Sequence, residues 1–160
     1  MLKPLHLHPW SLTISQANLV QEDLRDWVEM LDRLDPVRYV AGVDVGFKED
    51  GKISRAAVTV LSFPDLELVD QAVVEEPTIF PYVPGYLSFR EIPPILQALA
   101  KLSIEPQLIL CDGQGLAHRR RFGLACHLGL ILNVPTIGVA KNLFIGTHEA
   151  LPDERGAWVP

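Results

Sequence analysis

Apolar residues recur three or four positions apart in the N-terminal part of the chain, which predicts an amphipathic helix over residues 13–34. Thr13 and Gln16 have the spacing of a capping box, in which each side chain binds the backbone of the other residue. Asp35 should end this helix, because a residue that precedes proline is pushed out of helical geometry. The apolar positions are Ala17, Val20, Leu24, Trp27, Val28, Leu31 and Leu34.

Three strands are predicted next. Residues 38–47 are apolar and rich in strand-forming types, and the polar turn at 48–52 contains an Asp-Gly pair. Residues 56–63 and 66–74 read as two further strands, separated by Pro64 and Asp65. Because the turns are short, the three strands should pair antiparallel.

The second half of the chain alternates helices with strands. Residues 76–90 contain three prolines and Gly85, which predicts a long ordered loop. A helix should follow over residues 92–102, with its two prolines tolerated in the first turn. Strands are predicted at 106–111 and 135–140, with a helix at 119–133 between them, and this alternation favours parallel pairing.

This element order is that of the ribonuclease H-like fold, an α/β class in which helices flank a mixed sheet of antiparallel and then parallel strands. At 160 residues, one hydrophobic core and one domain over residues 1–160 are expected. The core should span about 38–146, followed by a short polar tail with no clear element. We therefore expect the C-terminal elements of the fold to be missing.

Composition indicates a folded globular domain, with 48% hydrophobic and 21% charged residues. The net charge of -6 argues mildly against a nucleic-acid partner, but a metal-dependent nuclease needs carboxylates in its site. The run from Arg119 to Arg121 is either a solvated face or a phosphate contact.

Two cysteines, Cys111 and Cys126, are too few for a disulfide framework, so a cytoplasmic setting is expected. Apolar segments are too short for a signal peptide or a membrane span.

Acidic residues at predicted strand ends are the strongest candidates for chemistry. Asp44 should end the first strand and Asp112 the fourth, where ligands collect in open sheets. Two ionised carboxylates about 4 Å apart repel by roughly 4 kcal/mol at an effective dielectric of about 20, so a shared cation is expected. Glu91 could add a third carboxylate, and Mg²⁺ prefers such oxygen ligands. Taken singly, each acid is more often an ordinary turn residue, but together and in this order they favour a site.

Two further side chains are weaker candidates. Lys141 follows the last predicted strand and could meet phosphate charge, although a lone lysine is more often solvated. His118 lies just beyond Asp112 and could contact phosphate or a metal-bound water, although a loop histidine is as often structural.

Four stretches, in this order, together resemble the endonuclease V family. They are GVDVGF at 42–47, PYVPGYLSFRE at 81–91, CDGQGLAHRRRFGLACHLG at 111–129 and PTIGVAK at 135–141. The resemblance covers roughly residues 38–146. It implies a ribonuclease H-like fold that binds Mg²⁺ or Mn²⁺. It also implies cutting of the second phosphodiester bond 3′ to deoxyinosine, which leaves 3′-hydroxyl and 5′-phosphate ends.

The resemblance implies roles for individual residues. Asp44, Asp112 and Glu91 match the acids of the metal site, Lys141 a lysine near the scissile region, and His118 a family histidine. Tyr82 matches the aromatic wedge that fills the gap left by the flipped inosine. Its loop consists of Pro81, Tyr82, Val83, Pro84 and Gly85. The hypoxanthine pocket of relatives corresponds to Leu87, Gly113, Leu124, Gly138 and Ala140.

Two departures from the family bear on function. Relatives often have proline where this chain has Arg119, and they continue into a segment with a metal-site histidine that nothing here matches.

The leading hypothesis is an inosine-directed DNA repair endonuclease, and the alternative is a catalytically weak or inactive inosine-binding module. A kinase-like phosphotransferase would need a second domain. The expected partner is deoxyinosine DNA, with inosine RNA left open. Exposed apolar residues at 143–145 should favour self-association.

Overall fold

A five-stranded mixed sheet is the centre of the computed structural model, which describes residues 2–32 and 34–159. Single 3-10 turns occur at Arg25–Trp27 and Glu49–Gly51. In chain order, the helices and strands are α1 (Ile14–Leu24), β1 (Tyr39–Lys48), β2 (Ile53–Ser62), β3 (Leu68–Pro77), α2 (Leu87–Leu99), β4 (Leu108–Asp112), α3 (Leu124–Leu132) and β5 (Thr136–Val139).

The sheet has the strand order β3-β2-β1-β4-β5 and the predicted change of direction. The pairs β1–β2 and β2–β3 are antiparallel, and their short connections are hairpins. The pairs β1–β4 and β4–β5 are parallel, with α2 and α3 in the connections. The antiparallel and parallel halves therefore meet at β1, the central strand.

Alternate residues of the central strands form the hydrophobic core. Ala41, Val43 and Val45 of β1 are buried, and the residues between them are exposed. Ile92 and Ile95 of α2 are fully buried in the same cluster, which also includes buried residues of α3. This period-two burial on one face is what the strand pattern predicts.

The N-terminal helix starts as predicted but ends much earlier. Thr13 Oγ1 accepts from Gln16 N at 3.3 Å, and Gln16 Oε1 accepts from Thr13 N at 2.9 Å, which completes the capping box. Helix α1 then ends at Leu24, so the prediction of residues 13–34 is wrong for its second half. The later apolar residues Trp27, Met30, Leu31 and Leu34 are exposed, and without burial a helix gains too little to form. Arg33 lies outside the described residues.

Helix α2 begins five residues before its predicted start. Pro93 and Pro94 therefore lie inside the helix rather than in its first turn, where each removes a backbone donor. Burial of Phe89, Ile92 and Ile95 offsets those lost hydrogen bonds. The preceding loop shrinks to residues 78–86, which are the part rich in proline and glycine.

Helix α3 is shorter than the predicted residues 119–133. Its start is set by Gly123, whose added Cβ would lie 2.2 Å from the carbonyl oxygen of Gln114. Arg121, with a φ of 57°, belongs to the turn before the helix. The arginine run is therefore in a loop that packs closely against residues 114–115.

The N-terminal segment before α1 packs on the core, which sequence analysis did not predict. Leu5 N donates to Ile131 O at 2.8 Å, and His8 Nε2 lies 2.8 Å from Nε2 of the buried His127. Cys111 and Cys126 are buried free thiols. Within residues 2–32 and 34–159, no helix is long and apolar enough to cross a membrane.

Two matched substitutions test the end of α1. Leu24 is 7% exposed and Leu31 is 68% exposed. We expect Leu24→Ala to lower the free energy of unfolding by about 2–4 kcal/mol, because it removes a buried side chain. Leu31→Ala should change it by less than about 0.5 kcal/mol. Urea denaturation measures both values, and equal losses would support the longer predicted helix.

Candidate active site

The register of the parallel pair β1–β4 places Asp44 and Asp112 side by side. The last paired residues are Val43 and Cys111, so the two aspartates come next on adjacent strands. Asp112 is the final residue of β4, as predicted. Asp44 is the sixth of ten residues in β1 rather than at its end, because β1 continues along β2 as far as Lys48.

Glu91 brings a third carboxyl group to this pair from the second turn of α2. It is only 7% exposed, rather than sitting at the open start of a helix as predicted. Burial, followed by the charges of Asp44 and Asp112, raises the pKa of Glu91 from 4.5 to about 8. Without a cation, Glu91 is therefore largely protonated at neutral pH.

The three carboxyl groups fit a hard divalent cation in chemistry and charge. In the described part of the chain, no group of three or more His, Cys, Asp or Glu side chains is arranged so that it could hold a metal ion as it stands. Mg²⁺ does not require such a group, since it commonly binds one or two carboxylates and keeps several waters. A cation beside Asp44 and Asp112 would offset their charges and favour the ionised form of Glu91, which burial and those charges disfavour.

An open cleft of about 530 Å³ gathers most of the predicted site residues. Pro81 and Gly138 do not line it. Gly138 lies behind its wall, where an added Cβ would be 2.6 Å from Gly113 O and from Gly115 N. The predicted residues that do line the cleft are Asp44, Tyr82, Val83, Pro84, Gly85, Leu87, Glu91, Asp112, Gly113, His118, Leu124, Ala140 and Lys141.

The proline-containing loop presents Tyr82 at the rim of this cleft. Tyr82 is 73% exposed, which is unusual for a tyrosine in a folded domain. A turn follows it, in which Tyr86 N donates to Val83 O at 3.1 Å, and Gly85 has a φ of 89°. The loop thus holds an aromatic side chain out towards solvent.

His118 is buried and both of its ring nitrogens have partners. Nδ1 accepts from Arg120 N at 3.2 Å, so Nε2 carries the proton and donates to Gly85 O at 3.1 Å. Burial and the charge of Arg120 lower the pKa of His118, which favours the neutral ring. In this arrangement His118 ties two loops together, and its contact with phosphate stays a prediction.

The basic side chains near the cleft differ in exposure. Lys141 is exposed at the cleft edge, and Arg119 and Arg121 are exposed in the turn before α3. Arg120 instead turns inward and donates from Nε to Gln21 Oε1 at 2.6 Å. Of the three arginines in this run, Arg119 and Arg121 are therefore solvated and Arg120 is half-buried.

The apolar residues after β5 are covered more than predicted. Leu143 is exposed, but Phe144 and Ile145 are half-buried. The Phe144 ring lies 5.7 Å from the His118 ring and 5.2 Å from the Arg119 guanidinium. The apolar surface at 143–145 is smaller than expected, and self-association through it stays a prediction.

Several polar residues were not predicted as part of the site: Gln21, Ser88, Gln114 and Asn142 line the cleft, and Arg90 is the chain neighbour of Glu91. Gln21 lies on the apolar face of α1 between Ala17 and Leu24, and a polar residue on such a face was a usable signal. Arg90 is buried with its guanidinium 4.0 Å from the centre of the Phe47 ring, and it donates to Gly51 O at 3.4 Å. No pattern in the sequence indicated that contact.

Comparison with known proteins points to one family. A family model described as Endonuclease V matches residues 22–160. Endonuclease V of Trichormus variabilis is 60% identical over 154 residues, which cover 96% of this chain and 70% of that protein. The chain thus spans about 70% of the length of this relative.

Solved structures agree with the sequence comparison. The crystal structure of endonuclease V from Streptomyces avermitilis has a TM-score of 0.88 and 44% identity, covering 94% of this chain and 67% of that one. Ciona intestinalis endonuclease V, in complex with a 24mer DNA containing an inosine followed by a ribo-adenosine, has a TM-score of 0.76 and 40% identity. That match covers 82% of this chain and 59% of the other. The predicted ribonuclease H-like class is confirmed.

The raised pKa of Glu91 predicts how stability depends on pH in the metal-free protein. The folded state holds the Glu91 proton more tightly than the unfolded state does. Binding of this proton therefore stabilises the folded protein fully below about pH 4.5, and this stabilisation is lost as the pH rises through about 8. The loss should reach a few kcal/mol, at about 1.4 kcal/mol for each pKa unit.

Urea denaturation in EDTA at several pH values measures this effect as the difference between the wild type and Glu91→Gln, which cannot ionise. Glu67→Gln, at an exposed position, is the matched control. Added Mg²⁺ or Mn²⁺ should restore stability to the wild type at pH 8 and do so less for Glu91→Gln. Parallel pH curves for wild type and Glu91→Gln would contradict the coupling.

Proposed function

This chain belongs to the endonuclease V family, and from that premise we propose that it is a DNA repair endonuclease that recognises deoxyinosine. The bond it hydrolyses is the second phosphodiester on the 3′ side of the lesion, leaving 3′-hydroxyl and 5′-phosphate ends. The observation that supports this most directly is the joining of the three carboxyl groups and the Tyr82 loop in one cleft.

Asp44 and Asp112 are the residues that would hold the metal ion, Mg²⁺ or Mn²⁺ in its place, with Glu91 as the third acidic group. Such an ion supplies a nucleophile at neutral pH and stabilises the leaving oxygen of a phosphodiester. Asp44 is well placed for this role, since its Oδ1 accepts from Val45 N at 2.8 Å and its carboxylate is thereby oriented. Glu91 would exchange its proton for the cation.

Recognition of the lesion would fall to other residues that line the same cleft. Tyr82 would stack in the gap left by the flipped base, and stacking of an aromatic side chain contributes about 1–3 kcal/mol per base. The prolines on either side of Tyr82 and Val83 limit the freedom of the loop before binding, which lowers the entropy lost on binding. A rigid exposed aromatic is what such a role needs.

The base itself would enter beside Gly113, between Leu87 and Leu124. An added Cβ on Gly113 would lie 3.1 Å from Leu124 Cδ2 and 3.4 Å from Leu87 Cδ2, so glycine leaves the space open. A backbone N–H that faces O6 of hypoxanthine would reject adenine, whose amino group is itself a donor. Discrimination would then rest on backbone groups and small residues.

Charge around the cleft suits a nucleic-acid strand despite the net charge of -6. Lys141 would meet the charge that develops on the scissile phosphate, and Arg119 and Arg121 would meet flanking phosphates. Inosine-containing RNA offers the same base and the same phosphates, so it is a second substrate to test. The free, buried cysteines support a reducing compartment such as the cytoplasm.

A nicking assay on a labelled duplex with one deoxyinosine tests the chemistry. We expect wild type to cut in Mg²⁺ or Mn²⁺ and not in EDTA. Asp44→Asn, which keeps the shape of the side chain but loses its charge, should cut at least about 100-fold more slowly. Asp65→Asn, in the exposed β2–β3 turn, should cut like wild type. Equal activity of the two variants would exclude Asp44 as a metal ligand.

A binding module without chemistry is the second candidate, since no group of three or more His, Cys, Asp or Glu side chains among the described residues could hold a metal ion as it stands. The same duplex separates the two functions. Tight binding to the inosine duplex by fluorescence anisotropy, with no nicking in either metal ion, would indicate the module. Nicking at the second bond 3′ to the lesion would indicate the enzyme.

Substitution of Gly113 tests the base pocket. Gly113→Val should remove the preference for inosine over adenine duplexes in a binding assay, because its side chain fills the space between Leu87 and Leu124. Because Gly113 has a φ of 155°, Gly113→Val also strains the backbone, so urea denaturation first checks that the variant is folded. Gly42→Val, where an added Cβ meets no atom within 4 Å, controls for a new side chain elsewhere. Unchanged discrimination by Gly113→Val would place the base elsewhere.

A further inference from the structure

One anchor of the loop that carries Tyr82 is the backbone oxygen of Gly85. Three side-chain donors converge on it: Gln21 Nε2 at 3.1 Å, His118 Nε2 at 3.1 Å and Arg120 Nη2 at 2.9 Å. A carbonyl oxygen has two lone pairs, so three donors exceed its usual complement. The position of this oxygen is therefore tightly determined.

Gln21 connects the members of this cluster. Its Oε1 accepts from Arg120 Nε at 2.6 Å, and its Nε2 donates to Phe122 O at 3.2 Å as well as to Gly85 O. The side chain is 1% exposed, so each of these bonds is protected from water. Burying a glutamine is costly unless its amide is fully bonded, and here it is.

Arg120 adds a second contact with the same loop. Its guanidinium lies 4.4 Å from the centre of the Tyr86 ring, while its Nη2 donates to Gly85 O. The planar guanidinium can make both contacts at once, which the ammonium of a lysine cannot. The end of the Tyr82 loop is thus held by the turn before α3 and by helix α1 together.

We propose that Gln21 and Arg120 are positioning residues for lesion recognition, acting through Gly85 to hold Tyr82 in the orientation that enters the duplex. Gly85 is three residues from Tyr82, and Pro84 between them restricts the backbone. The Tyr82 ring is 73% exposed and the Arg90 guanidinium lies 6.0 Å from the ring centre, so the direction of the ring depends mainly on where its loop is anchored. This inference rests on the function proposed above.

A purely structural network would behave differently from a positioning one. Loss of a structural contact would reduce activity on every substrate by the same factor, with or without Tyr82. Loss of a positioning contact matters only where the tyrosine is used, which is in a duplex that must be opened. A single-stranded inosine oligonucleotide has no such gap to fill and serves as the internal reference.

A double-mutant cycle on Gln21 and Tyr82 tests the proposal. The measurements are kcat and KM for nicking of duplex and single-stranded deoxyinosine DNA in Mg²⁺. We expect Gln21→Leu to lower kcat/KM on the duplex by about tenfold and to change it on the single strand by less than about twofold. In the Tyr82→Ala background, Gln21→Leu should have less than about a twofold effect on the duplex.

Two further variants keep the test interpretable. Gln97→Leu, at an exposed position in α2, is the matched control and should behave like wild type. Arg120→Lys keeps the positive charge but loses the Nε and Nη2 pair, so it should reproduce the loss on the duplex even if Gln21→Leu does not fold.

The possible failures are distinct. A wild type that neither binds nor cuts inosine DNA would overturn the proposed function and this inference with it. An active wild type would overturn this inference alone if Gln21→Leu and Arg120→Lys lost activity equally on both substrates. Additive effects of Gln21→Leu and Tyr82→Ala would do the same.

Discussion

Repulsion among three carboxyl groups is the constraint on which the site depends. The parallel register of β1 and β4 brings Asp44 beside Asp112, and α2 buries Glu91 against them. Such a cluster is unfavourable unless a proton or a cation neutralises it. Burial, followed by the charges of Asp44 and Asp112, raises the pKa of Glu91 to about 8, so a proton neutralises it near pH 7 and a divalent cation would take the place of that proton. Grouping these carboxyl groups has an electrostatic cost, and binding of a metal ion would reduce it.

The rest of the cleft depends on close contacts between backbone segments. Gly123 lets the turn before α3 pack against residues 114–115, and Gly138 lets β5 pack against Gly113. Gly85 then receives donors from α1 and from that same turn. Gly123 and Gly138 both lie against the backbone of Gln114, and the turn before α3 also supplies Arg120 to Gly85 O. The Tyr82 loop and the segment after Asp112 are therefore linked through the same turn.

One cleft is lined both by the three acids, which a cation would neutralise, and by the exposed ring of Tyr82 with the small residue Gly113. Positive side chains lie at the edges, where a phosphate backbone would run. A net negative charge is compatible with this arrangement, since a bound divalent ion changes the sign of the local field.

The sequence by itself determined the order and type of the elements, because period-two and helical spacing reflect burial that each segment must achieve. It also indicated the acids and the Tyr82 loop, through motifs shared with one family. The tertiary structure alone decided where α1 ends, how Glu91 is buried and why Gln21 matters. Each of these depends on what lies opposite a side chain, and residues 24, 91 and 21 meet partners far along the chain. The local sequence pattern does not show which distant residues a side chain will contact in the folded chain.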